Sequence, residues 1–520
     1  MRHRPTTTTP TSTPEPEDGL LRRVGYWPQF ARTLGWGESF GLAFSFISVT
    51  TGIFTTFGFL LATAGPRGIW TWPVAVGGQT LVALVYATLA AQMPLAGGAY
   101  QWATRLAGPL AGWWLGWLSL SFLVIVTVSV DYALIQAAVW PLLGLPATPA
   151  TLAAGTLAVI ATQAALLCWS TPATARLNNL AVLAEIIGLL QLTIVLLVAG
   201  RIAGIGRWAN LTSTAPIPAH GWWAWLGPGM LATLLGAYTI VGFEASATLA
   251  EETRQPARVV PRAMVQAVIA SGVLGMLFLV ALAQAIPHPD RIAGDAAPVA
   301  AILRDFLGGR IEPFLAFICL AIYTCGTVIM TTASRLAFAM ARDRRLPAHQ
   351  LLAHVPRATG GPVYAVGAVA GASAAIVATL GANPDALTTL FTASTLLPAI
   401  LYTGTVALAV WAARHAPPGT EAASFTLGAW QRPVTVGALA WLGYELLVLL
   451  APARFRPAQA YALGAVALGA LIYLLLRLAE PDAMTRQPAS VPVDPDTHPA
   501  PDPEARGGQP REPRRRLLRQ

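Results

Sequence analysis

Between residues 35 and 478 the chain is a succession of twelve long apolar runs, nearly free of charge and joined by short polar links. The runs cover 39–64, 69–93, 111–141, 152–169, 181–200, 226–249, 263–286, 313–341, 362–382, 385–413, 430–451 and 457–478, numbered here spans 1 to 12. Each is long enough to cross about 30 Å of hydrocarbon as a helix. Lipid offers no water to satisfy backbone N–H and C=O groups, so runs of this kind must bond internally. The expected fold is therefore an all-α integral membrane protein with twelve transmembrane helices.

Hydrophobic residues make up 55% of the 520 positions and charged residues 11%, against roughly 25% charged in soluble domains. So little polar surface excludes a soluble enzyme, a disordered scaffold and a secreted disulfide framework. Cys168, Cys319 and Cys325 all lie in apolar runs, where no disulfide is expected. The seven histidines lie in tails or links rather than at membrane depth, so neither a metal centre nor a haem is expected, and no enzyme activity. No nucleotide-binding loop is found, which argues against pumping driven by ATP.

Net charge is +9, and all 33 basic residues are Arg. They fall between apolar runs and in the tails, a pattern that orients a membrane protein rather than one that binds nucleic acid. If the N-terminus is inside, the N-terminal tail and inner loops hold sixteen Arg against eight in the outer loops. The excess predicts both termini in the cytoplasm, with the cytoplasmic membrane as the location. Residues 1–34 and 479–520 are rich in Pro, Thr, Arg and acidic residues and are expected to be disordered. A polar tract follows Met1, so no signal peptide is expected. Trp70, Trp72, Trp140, Trp222 and Trp223 would form the outer aromatic belt, and Trp113 and Trp114 the inner one.

Two spans carry polar, glycine-containing patches at mid-depth: Ser48-Val49-Thr50-Thr51-Gly52-Ile53-Phe54 in span 1, and Gly236 to Ser246 in span 6. Glycine permits non-helical torsions, and membrane helices break only where they line a cavity or are buried in protein. Interruptions at corresponding positions of two five-span halves mark a transporter site. The freed N–H groups at a half-helix start suit an anion such as a carboxylate. Close small-residue packing is the alternative reading of either patch alone.

Four acidic residues lie inside spans: Asp131, Glu185, Glu244 and Glu445. A carboxylate at mid-membrane costs about 2.5–3.5 kcal/mol on insertion scales, which marks each as a functional candidate. Glu244 follows the span 6 patch, where it can hold orphan N–H groups or touch substrate. Asp131, in the outer half of span 3, can meet a cation or pair with a hydroxyl such as Ser129. Glu185 lies near the inner end of span 5, where it can serve ion coupling or pair with Arg335 of span 8. Glu445 lies nearer the outer surface and can snorkel.

The connecting loops repeat the signal: Pro94 to Tyr100, Glu251-Glu252-Thr253, and Ser334 to Pro347. With Thr51 to Thr56, Gly65-Pro66 and Gly242-Phe243-Glu244, they make residues 35–478 resemble the amino acid–polyamine–organocation transporter superfamily. The likeness is greatest to its amino acid/choline transporter family. The resemblance implies a five-plus-five inverted repeat with broken spans 1 and 6, two added spans, and alternating access. It also implies a small zwitterionic or cationic solute (an amino acid, γ-aminobutyrate, choline or a polyamine) and no cofactor beyond a coupled H⁺ or Na⁺.

By the same resemblance a substrate carboxylate meets backbone at Thr50, Thr51 and Gly52, beside Ile53. Val241 and Gly242 oppose it at the amine, with Thr239 just before them and the aromatics Tyr238 and Phe243 on either side. Two departures stand out. Thr50-Thr51-Gly52 replaces a Gly-Ser/Ala-Gly pattern, and Glu185 stands seven residues after Asn178, where some relatives carry a Lys in the sodium position. A secondary transporter is the leading expectation. A channel or sensor of the same fold lacks any filter-like repeat here.

Overall fold

The computed structural model describes residues 32–484, apart from 33, 146, 170, 203, 205, 214–222, 309–310, 357–360, 381–382, 384, 416–423 and 482–483. The tails and Trp222 lie outside the described residues. The described chain is helical throughout, with a single parallel β-bridge between Leu34 and Thr253. Span 1 comprises α1 (Trp36–Ile47) and α2 (Val49–Ala64). Span 2 is α3 (Trp72–Gln92), and a short helix α4 (Ala99–Ala107) links it to α5 (Pro109–Leu134) of span 3. Spans 4 and 5 are α6 (Pro149–Trp169) and α7 (Thr171–Ile202). Span 6 is cut into α8 (Trp223–Ala232), α9 (Leu234–Thr239) and α10 (Ala245–Thr248).

The second half follows with α11 (Pro256–Gln284) as span 7, a short α12 (Pro298–Leu307), and α13 (Glu312–Arg342) as span 8. Spans 9 to 12 are α14 (Val363–Leu380), α15 (Ala386–His415), α16 (Gln431–Leu450) and α17 (Arg456–Ala479). Pro109, Pro256, Pro298 and Pro457 stand in the first turns of their helices, where a missing N–H costs nothing and φ is already helical. Eleven spans are long and apolar enough to cross a membrane as helices. Span 6 is the twelfth, and its pieces among the described residues, which begin at Trp223, fall short of that length.

Spans 1 and 3 form the centre, with 89% and 83% of their most apolar windows buried, against 11% for span 12. Spans 1 and 6 are five apart, so they run in opposite directions, and α2 packs against α9. Span 5 shows how the periphery is built. Leu183, Ile187, Leu190, Ile194 and Val198 are exposed at steps of three and four residues, one stripe of a helix with lipid as its solvent, while Glu185 on the same helix points into the protein.

Two expected belt tryptophans are core residues instead. Trp72 is buried, donates Nε1–H to the Gly272 carbonyl at 2.7 Å, and fills the slot left by Gly275 on span 7. Trp113 is buried, donates to the Arg345 carbonyl at 3.0 Å and stacks on Trp117. An indole with a carbonyl acceptor and a glycine-lined slot gains more from the core than from the interface. Trp70 is exposed, as a belt residue should be. Glu445 does not snorkel: it is 2% exposed and accepts Gln79 Nε2–H from span 2 at 3.3 Å.

Candidate functional site

The interruption of span 1 is one residue wide. Ser48 takes φ +32°, ψ 91°, a conformation costing a side-chain-bearing residue on the order of 1–3 kcal/mol. Helix α1 runs up to it, Ser48 N–H reaching the Phe44 carbonyl at 2.9 Å, and α2 resumes with Gly52 N–H on the Ser48 carbonyl at 3.0 Å. The N–H groups of Val49, Thr50 and Thr51 are thereby left without helical acceptors. Thr51 N–H is taken by Ser48 Oγ at 3.3 Å, and Thr50 N–H by Glu185 Oε1 at 3.2 Å. Glu185 Oε1 also accepts the Ser48 hydroxyl at 2.7 Å. A carboxylate from span 5 thus sits at the start of α2, on the backbone where the resemblance places a substrate carboxylate.

The interruption of span 6 is wider. Helix α9 stops at Thr239, Ile240 turns to φ −91°, ψ 60°, and Gly242 takes φ +77°, which favours glycine. Its N–H is donated to the Tyr402 hydroxyl of span 10 at 3.0 Å, and that hydroxyl donates to Glu244 Oε2 at 2.8 Å. Glu244 therefore holds the break through Tyr402 as well as through a main-chain N–H, its own, at the start of α10. Phe243, Tyr402 and Tyr86 enclose this relay, with ring centroids 5.1–5.7 Å apart. Replacing Tyr402 with Phe leaves one buried N–H and one carboxylate oxygen without this partner, a cost of about 1–3 kcal/mol for each orphan. Tyr402→Phe is expected to lower the unfolding temperature and substrate affinity together. Thermal unfolding and uptake measured on the same preparation check this, and unchanged values in both would contradict the relay.

The two interruptions interlock. A Cβ at Gly52 would overlap the Thr239 side chain, and a Cβ at Gly242 would overlap the Phe46 ring. Each break thus receives a side chain from the last turn of the other broken span's preceding half-helix. Gly52 is packed by a neighbour, as the small-residue reading has it, and that neighbour belongs to the second break. Thr50, Thr51, Ile53, Tyr238, Thr239, Val241 and Phe243 are all buried around this junction. Tyr238 Oη lies 3.1 Å from Ser129 Oγ on span 3, and its ring meets Phe391 edge-on. Cys325 of span 8 donates its thiol to the Phe46 carbonyl at 3.4 Å.

Asp131 is placed elsewhere. It is fully buried and accepts the Gln163 amide of span 4 at 2.8 Å, so its contacts are with the span 4 and span 8 wall and not with either break. Ser129 turns to Tyr238 instead of pairing with it. Arg335 pairs with Glu252 and Glu185 is engaged at Ser48 and Thr50, so the alternative of a Glu185–Arg335 pair is not the one formed. A cavity of about 120 Å³ adjoins Glu185 and Thr50, walled by Gln191, Phe314 and Phe317; it has room for several waters.

The three loop motifs meet at one end of the bundle. Glu251 Oε1 accepts the Ala96 N–H at 3.4 Å, and Tyr100 Oη donates to Asp343 Oδ2 at 2.7 Å. Beside them Leu34 N–H reaches the Glu252 carbonyl at 3.0 Å, and Arg254 N–H the Leu34 carbonyl at 2.8 Å. Tyr402, Tyr86, Cys325 and Gln163 carry no motif that singles them out. A hydroxyl on an apolar run, unlike a charge, raises no insertion penalty large enough to notice.

The sequence profile described as amino acid permease matches residues 34–473. An amino-acid permease BAT1 homolog of Oryza sativa subsp. japonica is 29% identical over 358 residues, 63% of this chain and 68% of that one. An uncharacterized amino-acid permease of Schizosaccharomyces pombe is 24% identical over 464 residues, 85% of this chain and 82% of that one. Amino-acid permease 2 of Neurospora crassa is 28% identical over 382 residues, 68% of each.

Proposed function

The chain belongs to the amino acid permease family, a family of membrane transporters, not enzymes, and from that premise we propose that it carries an α-amino acid across the cytoplasmic membrane by alternating access. Both termini lie in the cytoplasm, following the Arg excess of the inner loops. The observation that carries the reading is the meeting of two interrupted, antiparallel spans at one junction, each interruption packed by the other span. The substrate carboxylate is bound by the Thr50, Thr51 and Gly52 end of α2, whose dipole favours an anion. The ammonium is met by carbonyls at Ile240 and Val241, the Gly242 carbonyl being held by the Ala245 N–H at 2.9 Å, and Tyr238 and Phe243 flank the solute.

Glu185 gives this reading a coupling step. Its carboxylate already occupies Thr50 N–H, so a substrate carboxylate arriving there meets a like charge competing for the same donor. Neutralising Glu185 with H⁺, or screening it with Na⁺, weakens that hold and removes the repulsion. Cation and amino acid then enter together. In Glu185→Gln the side chain still accepts from Ser48 and Thr50 but carries no charge. Uptake into proteoliposomes should then lose most of its dependence on pH or sodium while exchange of internal for external substrate persists. Unaltered ion dependence, with a lower unfolding temperature alone, would leave Glu185 a structural cap and end the coupling reading. Counterflow of labelled amino acids separates transport from channel conduction, since only a carrier with an alternating site shows it.

A further inference from the structure

The buried carboxylate that the breaks do not use has an incomplete set of partners. Gln163 Nε2 donates to Asp131 Oδ1 at 2.8 Å and to the Tyr323 carbonyl of span 8 at 3.2 Å. The second bond identifies which end of the amide is nitrogen, because a carbonyl can only accept. Two oxygens are left, Asp131 Oδ2 and Gln163 Oε1, and both are buried without a hydrogen-bond partner among the described residues. Each can only accept if Asp131 is ionised, so together they lack a donor. Gly326 closes on the pair so tightly that a Cβ there would overlap both Asp131 Oδ1 and Gln163 Nε2. That wall fixes the bonded side of the pair, and a hydrogen on the other side adds almost no volume.

We propose that Asp131 and Gln163 form a proton-binding site in the span 3–4–8 wall, the Asp131 carboxyl holding a hydrogen on Oδ2 that it shares with Gln163 Oε1. Acid and amide then make a two-bond ring whose N–H···O half stands at 2.8 Å. One proton supplies the donor that both oxygens lack and removes a charge that burial in lipid penalises. The titratable groups nearby are otherwise engaged. Tyr238 on span 6 is bonded to Ser129, Cys325 on span 8 to the Phe46 carbonyl, and the Tyr323 hydroxyl to Thr162. No Arg or His forms an ion pair with Asp131 among the described residues. A neutral Asp131 offers no charge to recruit a cationic solute, which makes the zwitterion the better fit to the junction beside it.

Asp131 is the one buried aspartate among the described residues, the other buried acids being glutamates. Infrared spectra of the full chain in lipid, with and without carboxyl-labelled aspartate, isolate it. The expected result at neutral pH is a protonated-acid carbonyl band that moves with the aspartate label and is missing from Asp131→Asn. Absence of a label-sensitive acid band in the wild type would overturn the proposal, with no variant needed. Asn reproduces the ring with its own amide donor, so Asp131→Asn should keep the wild-type unfolding temperature while Asp131→Leu loses it. An unfolding temperature that responds to exchanging sodium for potassium in the wild type but not in Asp131→Asn would assign the site to a metal cation and refute the proton.

Discussion

Gly242→Ala is expected to abolish substrate uptake while leaving membrane insertion intact. Two costs fall on the same methyl group. Gly242 stands at φ +77°, where a side-chain-bearing residue is penalised by roughly 1–2 kcal/mol. The new Cβ also overlaps the Phe46 ring, and overpacking a filled core costs about 1–3 kcal/mol. Together these amount to on the order of 2–5 kcal/mol, and each 1.4 kcal/mol is a factor of ten in the population of the working geometry. Uptake should therefore fall by roughly 30-fold or more. Pairing the change with Phe46→Ala removes the overlap but not the torsional cost, so recovery should be partial. Wild-type uptake by the single variant in proteoliposomes, at matched protein content, would show that the break is not where the solute binds.

Gly52→Leu is expected to be equally severe by a different route. The overlap there is with Thr239 Oγ1, Cγ2 and Cβ alike, so α2 and α9 must separate to admit it. The smaller change Gly52→Ala tests the cause. Its defect should be relieved by Thr239→Gly, which clears all three atoms, and not by Thr239→Ala, which leaves the Cβ in place. Uptake rates for the three single and two double variants, with the wild type, make two double-mutant cycles. Equal rescue by Ala and Gly at position 239 would separate the loss of function from this contact.

The number and order of spans were legible because lipid imposes one constraint on every residue it touches, and apolar length records it. Both breaks were legible for the converse reason: Thr50-Thr51-Gly52 and Val241-Gly242 put backbone freedom where an uninterrupted helix has no use for it. What the breaks are held by was not legible. Tyr402 lies 160 positions from Gly242, and nothing local to span 10 records that its hydroxyl ends beside a main-chain N–H of span 6. Asp131 and Glu185 look alike in sequence, each a lone acid in an apolar run. Their partners, an amide in span 4 and a helix start in span 1, come only from the packing. Trp72 and Trp113 were misplaced because an indole near the end of a run suits either an interface or a core slot; the glycine that makes the Trp72 slot lies on span 7, and the carbonyl that takes the Trp113 N–H belongs to Arg345, both remote from any local pattern.

The bridge between Leu34 and Thr253 has a consequence for how this chain can be explored. Its two bonds, Leu34 N–H to Glu252 and Arg254 N–H to Leu34, are made wholly of main-chain groups that nearly every amino acid carries alike. An alanine scan that strips every side chain from 32 to 36 and from 251 to 255 would leave both bonds standing, and any loss it reported would belong to side-chain contacts such as those of Glu251 and Glu252 rather than to the bridge. Only a change that deletes the donor itself, a proline at Arg254, erases the second bond. The stitch between the entrance of the first broken span and the exit of the second is thus written in an alphabet of one letter, invisible to any method that reads side chains.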